Sequence, residues 1–190
     1  MSRIIVDSIR NSSASSDGIT LSSDGKVAFP NTSTGKILQV VQVTHTATVS
    51  TTGITYVDTG LSASITPSSS SNKILIFVSQ GYFIKRSTDQ ARGGIRLLRG
   101  STVLEQGPNT QNGQEPAGLG HSTNLGGVVQ FAGRYNLNFL DSPATTSSTT
   151  YKTQFGNNQS SASPTMYINS SDNNSGEDGS GFMTLMEVAA

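Results

Sequence analysis

The side chains that could do chemistry in this chain are mostly hydroxyls. Ser numbers 30 and Thr 22 among 190 residues. A hydroxyl becomes a nucleophile only beside a base, and the sequence supplies two histidines, His45 and His121. No Gly-x-Ser-x-Gly elbow is present to raise a serine on a strand-to-helix turn. His45 stands in a run rich in Thr and Val and reads as a surface or interface residue of a strand. His121 lies in a glycine-rich stretch, and loops of that kind carry ligand contacts. Asp and Glu together number 12. Glu105 and Glu115 flank the start of the same stretch, but neither has the setting of a glycosidase acid or nucleophile. There is no Trp to stack against a sugar ring and no Cys for thiolate chemistry or a Cys-ligated metal. The expectation is a protein that is not an enzyme, with no catalytic residue and no cofactor.

Oxygen ligands are dense only in Asp172-Asn173-Asn174-Ser175-Gly176-Glu177-Asp178-Gly179. A calcium loop of the EF-hand kind needs Gly at its sixth place and Glu at its twelfth. Here those places hold Glu177 and Met183, so the stretch reads as a solvated turn and no metal site is expected. Gly118-Leu119-Gly120 with Gly126-Gly127 lacks the Gly-Lys-Ser/Thr of a phosphate cradle.

Binding is the chemistry that remains. Lys85, Arg86, Arg92, Arg96 and Arg99 put five of the twelve basic residues within fifteen positions, opposed by Asp89 alone. They are candidate contacts for an anion or for another subunit, although a strand sends Arg96 and Arg99 to opposite faces. Asn109, Gln111, Asn112 and Gln114, with His121, are candidate ligand or host-surface contacts through their amides and imidazole.

The elements that must carry these residues are strands. β-type runs alternate with clusters of Ser, Thr, Gly and Asn: Ile37 to Ser50, Ile54 to Asp58, Leu61 to Ile65, Lys73 to Ile84, Gly94 to Arg99, Thr102 to Glu105, Val128 to Leu140, Tyr151 to Phe155, Thr165 to Ile168 and Phe182 to Val188. Thr59-Gly60 splits the second from the third. Val128 to Leu140 reads as two segments. Gly100-Ser101 marks a hairpin turn. Lys73 to Ile84 is apolar on both faces at first, which predicts a central strand covered on both sides. No segment keeps a 3.6-residue period for three turns. The fold expected is all-β, a jelly-roll-like β-sandwich preceded by an extended N-terminal β arm. The arm is residues 1–35 and the body is 36–190. The arm has too few apolar residues for a core of its own, so Ile4, Ile5, Val6 and Ile9 should find cover on other chains.

Composition narrows the partners. Lys+Arg and Asp+Glu balance at 12 each, and charged residues make up 13% of the chain. A chain with no net charge is not expected to bind nucleic acid, where affinity comes from neutralising phosphates. No apolar run approaches the ~20 residues of a membrane span. Met1 to Asp7 lacks a secretory h-region, so export by a cleaved signal is not expected.

Several segments taken together point to a family. The opening RIIVDSIRNSSASSDGITLSSDGKVAFPN resembles the N-terminal stretches of virion structural proteins from tailed phages of marine bacteria, cyanobacterial phages among them. GKILQVVQVTHT, TGLSASITPSSSSNKILIFVS, LLRGSTVL, FLDSPATTSSTTYKTQF and GFMTLMEVAA resemble successive parts of the same family's body. The resemblance runs over most of the chain and leaves out residues 107–127 and 157–181. It implies a non-enzymatic fibre, spike or head-decoration protein, trimeric, assembled in the host cytoplasm and resident in the virion. Ile4, Ile5, Val6 and Ile9 would then anchor it to other virion proteins. The alternative is a carbohydrate-binding module that serves as a receptor-binding tip on a host-surface glycan.

Overall fold

The computed structural model describes residues 8–9, 18–21, 23, 25, 27–28, 36–52, 55–86, 93–106, 129–156, 165–170 and 179–190. The chain divides into two units, Met1–Lys36 and Ile37–Ala190. In the first, β1 (Ser8–Ile9), β2 (Ile19–Leu21) and β3 (Val27–Ala28) form a small antiparallel sheet in that order. The Gly18 amide donates to the Ile9 carbonyl and closes the β1–β2 connection.

The second unit contains the body strands. They are β4 (Ile37–His45), β5 (Val49–Thr51), β6 (Val57–Ile65), β7 (Lys73–Arg86), β8 (Gly94–Arg99), β9 (Thr102–Glu105), β10 (Val129–Asp141), β11 (Thr149–Gly156), β12 (Thr165–Ile168) and β13 (Gly181–Val188). Val, Ile and Thr dominate them, as a pleated, half-buried surface favours. No helix occurs among the described residues. All pairings are antiparallel and make two sheets. The smaller has the order β6-β11-β8-β9. In the larger, β10 pairs with β7 from Ile74 to Arg86 along one edge. The other edge is shared, with β13 opposite Lys73 to Gln80 and β12 opposite Tyr82 to Lys85. β4 extends the sheet beyond β13, and β5 extends it beyond β12.

The two sheets face each other as a β-sandwich, the fold the alternating runs predict. Leu61, Ala63, Ile65, Leu97 and Tyr151 of the small sheet meet Ile74, Ile76, Val78, Met183 and Leu185 of the large one. A second cluster joins Ile84, Ile95, Phe155, Met166 and Ile168. Between the clusters runs a polar seam. The Leu61 amide donates to Thr59 Oγ1, Thr59 shares a 2.6 Å hydrogen bond with Thr153, and Thr153 donates to Gln80 Oε1.

Three local expectations are corrected. Thr59-Gly60 does not separate two strands: it is a bulge inside β6, where the register against β11 slips between Lys152 and Gln154. Gly60 takes φ +87° there, and a Cβ would strike the His45 ring, so glycine is what admits the kink. Val128 to Leu140 is one strand, because Gly133 sits opposite Tyr82 and leaves room for its ring. β7 is central, but its outer face is covered only in part. Ile74, Ile76 and Val78 face the core, while on the outer face Phe77 stays 41% exposed and Phe83, beside the Tyr167 ring, is buried.

Candidate interaction surface

Strand alternation gives each sheet one inward and one outward face. On the small sheet the outward face is mostly polar, although the row of Ser62 and Lys152 continues through buried Leu98 to exposed Val103. Ser62 lies opposite Lys152 and Ser64 opposite Thr150, and the Ser64 and Thr150 hydroxyls bond at 2.7 Å. Asp58, Gln154 and Arg96 form one row across β6, β11 and β8. Arg96 donates through Nε and Nη2 to Gln154 Oε1, and its guanidinium lies 4.3 Å above the Tyr56 ring. Gln154 Nε2 and Lys152 Nζ both donate to Asp58. Slight burial pushes the Asp58 carboxyl up, but the bonds from Gln154 and Lys152 and the lysine charge outweigh it and hold it below the usual carboxylate range. A shallow depression of about 510 Å³ lies among Arg96, Leu98, Ser101, Thr150, Lys152 and Gln154.

The outward face of the large sheet is different. Register places Val40, Met186, Leu75 and Leu140 side by side across β4, β13, β7 and β10. The next row is Gln42, Thr184, Phe77 and Asn138, and the next Thr44, Phe182, Ser79 and Asn136. Val40 is 55% exposed, Leu140 50% and Phe182 37%. A groove of about 420 Å³ runs between Phe77 and Phe182, edged by Asn136, Asn138 and Thr184. Charge enters this face only at its margins. Lys73 is at one end. Arg134 is at the other, tied to Ser79 Oγ and the Ser180 carbonyl and lying over the Phe182 ring.

The basic residues close in sequence do not make one patch among the described residues. Lys85 points outward from the large sheet and Arg96 outward from the small one, because their neighbours Ile84 and Ile95 both face the core between. Arg99 turns inward at the sandwich end. Its Nη1 reaches both carboxylate oxygens of Asp141 at 2.9 and 2.8 Å, and the Tyr151 hydroxyl donates to the same carboxylate at 2.7 Å. Burial, then Asp141, drives the Tyr151 phenol far above its ordinary range. Arg86 ends β7, and its side chain lies outside the described residues, as do Arg92, Asn109, Gln111, Asn112, Gln114 and His121. Ile4, Ile5 and Val6 lie outside them too, while Ile9 is in β1 and exposed. The Asp172 to Asp178 stretch lies outside as well.

His45 is not a free surface residue. Its ring packs on Gly60, and Asn169 Nδ2 lies 3.0 Å from Nδ1. Asn169 itself is buried at φ +57° and donates to the carbonyls of His45 and Ala47. A buried carboxylate went unnoticed in the sequence. Glu187 is 1% exposed and accepts hydrogen bonds from Gln39 Nε2, the Ser68 amide and hydroxyl, and Asn72 Nδ2. Its signal was parity, since Met183, Leu185 and Glu187 share one face of a strand. No group of three or more His, Asp or Glu among the described residues is placed to hold a metal ion. No described helix is long and apolar enough to cross a membrane.

No family matches the chain, and no curated protein matches its sequence. Among solved structures, that of infectious bursal disease virus strain Gx aligns at 14% identity with a TM-score of 0.34, covering 98% of this chain and 42% of that one. The VP2 subviral particle of infectious bursal disease virus aligns at 14% identity and 0.30, covering 86% and 41%. The chain thus spans about two fifths of the length of either neighbour. At these scores neither likeness bears on what this protein does, and the β-sandwich assignment stands on the strand pairings alone.

Proposed function

We propose that this chain is a virion structural protein of a tailed phage: a trimeric fibre, spike or head-decoration subunit, held to the particle by residues 1–35. The resemblance of its opening and of its successive body segments to such proteins supports the reading. The observation that carries it is the build of the Met1–Lys36 unit. Its strands are two or three residues long, and Ile9, Leu21 and Val27 are exposed. A sheet this small has no face of its own to bury, so its apolar side chains gain cover in an assembly. Ile4, Ile5, Val6 and Ile9 are the contacts assigned to anchoring.

Removal of residues 1–30 tests it. The truncated body should unfold with the midpoint of the full chain and be missing from assembled particles. Incorporation at the normal level would refute the reading.

A further inference from the structure

We infer that the outward face of the large sheet, across β4, β13, β7 and β10, is the surface through which copies of this chain pack on one another. The inference rests on the self-association in the reading above and not on its virion setting.

Three observations carry it. First, the face has the anatomy of an interface core. An apolar row, Val40–Met186–Leu75–Leu140, is flanked by Phe77 and Phe182, and amides and hydroxyls surround them. Interface centres are enriched in Phe and Met and depleted of charge, with polar groups at the rim. Second, the face supplies more than half of a standard contact area in projection alone. Four strands about 4.8 Å apart, over about seven residues of 3.3 Å, give roughly 450 Å² in projection, before side-chain relief is added. A standard interface takes about 800 Å² per partner. Third, the electrostatics select the occupant. The centre of the face carries no ionisable group, so a partner must be uncharged and apolar there. A second copy meets that need with this same face, and the chain's balance of 12 basic and 12 acidic residues adds no net repulsion. The groove between Phe77 and Phe182 would receive an apolar side chain from the neighbouring copy. The small sheet differs in degree. On its outer face Ser62, Ser64, Thr150 and Lys152 leave Val103 as the exposed large apolar side chain among the described residues.

The test uses the purified full chain. Its mass is followed by light scattering across a dilution series, beside V40E, L140E and, on the opposite face, S64E. The wild type and S64E should form the same multimer. V40E and L140E should weaken association by about a hundredfold or more, since each buries an unpaired carboxylate. Their unfolding midpoints, measured as monomers, should match that of dilute wild type, which separates lost association from lost folding. A wild type that stays monomeric overturns both this surface and the trimer. That outcome with V40E less stable would mean the chain's own N-terminal segment covers the face. A multimer that V40E and L140E leave intact overturns this surface alone and leaves self-association standing. A wild-type monomer whose face is covered only in particles, by a different virion protein, also overturns it.

Discussion

Glu187 should make the stability of this protein fall in acid, and the structure sets the size of the effect. Burial pushes its carboxyl up, but hydrogen bonds from Asn72, Gln39 and Ser68 outweigh that and hold its pKa near 2, against 4.5 for a free side chain. A group depressed on folding stabilises the native state above its unfolded pKa. The contribution is therefore complete above about pH 5 and is lost as pH falls from there towards 2. A shift from 4.5 to about 2 corresponds to about 3 kcal/mol at neutral pH. That is an upper figure. The carboxylate sits among the polar groups of Gln39, Ser68 and Asn72 and not in the apolar core between the sheets. The sharp perturbation is Glu187→Gln. The amide keeps an oxygen for Ser68 and Asn72 but turns an NH₂ towards Gln39 Nε2, which is itself committed to the Thr66 carbonyl at 2.7 Å. Losing the charge and setting donor against donor should cost about 2 kcal/mol. Urea unfolding at a series of pH values measures this directly. The gap between wild type and variant should be widest at pH 6–7 and close towards pH 2–3, as the wild-type carboxyl takes up its proton. A gap that stays constant over that range would show that shape, not charge, is what Glu187 supplies.

Three further substitutions probe the interior. Thr153→Val removes the one hydroxyl that joins Thr59 to Gln80 in the polar seam and should destabilise by about 1–3 kcal/mol, read from the urea midpoint. Gln80→Met, which takes the amide out altogether, should cost less, and the reverse order would refute the seam as described. Gly60→Ala places a side chain at φ +87° against the His45 ring, and a loss above about 2 kcal/mol in thermal unfolding is expected. A neutral outcome would mean that the β6 bulge is not held in place by the His45–Asn169 contact.

Much of the fold was legible because its runs obey the period of two. The β8–β9 hairpin follows from Gly100-Ser101 between two apolar segments, and Gly100 takes φ +58° there. Lys73 to Ile84 announced a central strand by its hydrophobicity. The failures share one cause, which is that glycine in a strand has two meanings. Thr59-Gly60 reads as a break, and Val128 to Leu140, which contains Gly133, reads as two segments. The first glycine is a bulge and the second a gap left for a tyrosine ring, and only the neighbouring strand decides between them. Lys85 and Arg96 stand apart for a related reason. Closeness in sequence survives in a helix, but two strands on opposing sheets carry neighbours to opposite sides of the molecule. Glu187 and Gln80 could have been found. Each holds an inward place in an alternating run, after Met183 and Leu185 or after Ile74, Ile76 and Val78, and a polar residue at such a place must meet partners across the core.

The two outward faces bear on what the hydroxyl-rich, weakly charged composition is for. Both belong to twisted antiparallel sheets of the same chain and both must be compatible with solution during synthesis. On β6 and β11 the outward places hold Ser62, Ser64, Thr150 and Lys152. On β4, β7 and β10 they hold Val40, Leu75, Phe77 and Leu140. Hydroxyls stand on both faces, with Thr44, Ser79 and Thr184 on the large sheet. What differs is that the large sheet carries an apolar row across four strands, Val40–Met186–Leu75–Leu140, edged by Gln42, Asn136 and Asn138. Under the proposed self-association a low charge has a use: a subunit that meets identical subunits repeats every charge it carries, and a face with ionisable groups only at its margins avoids setting like against like at each contact.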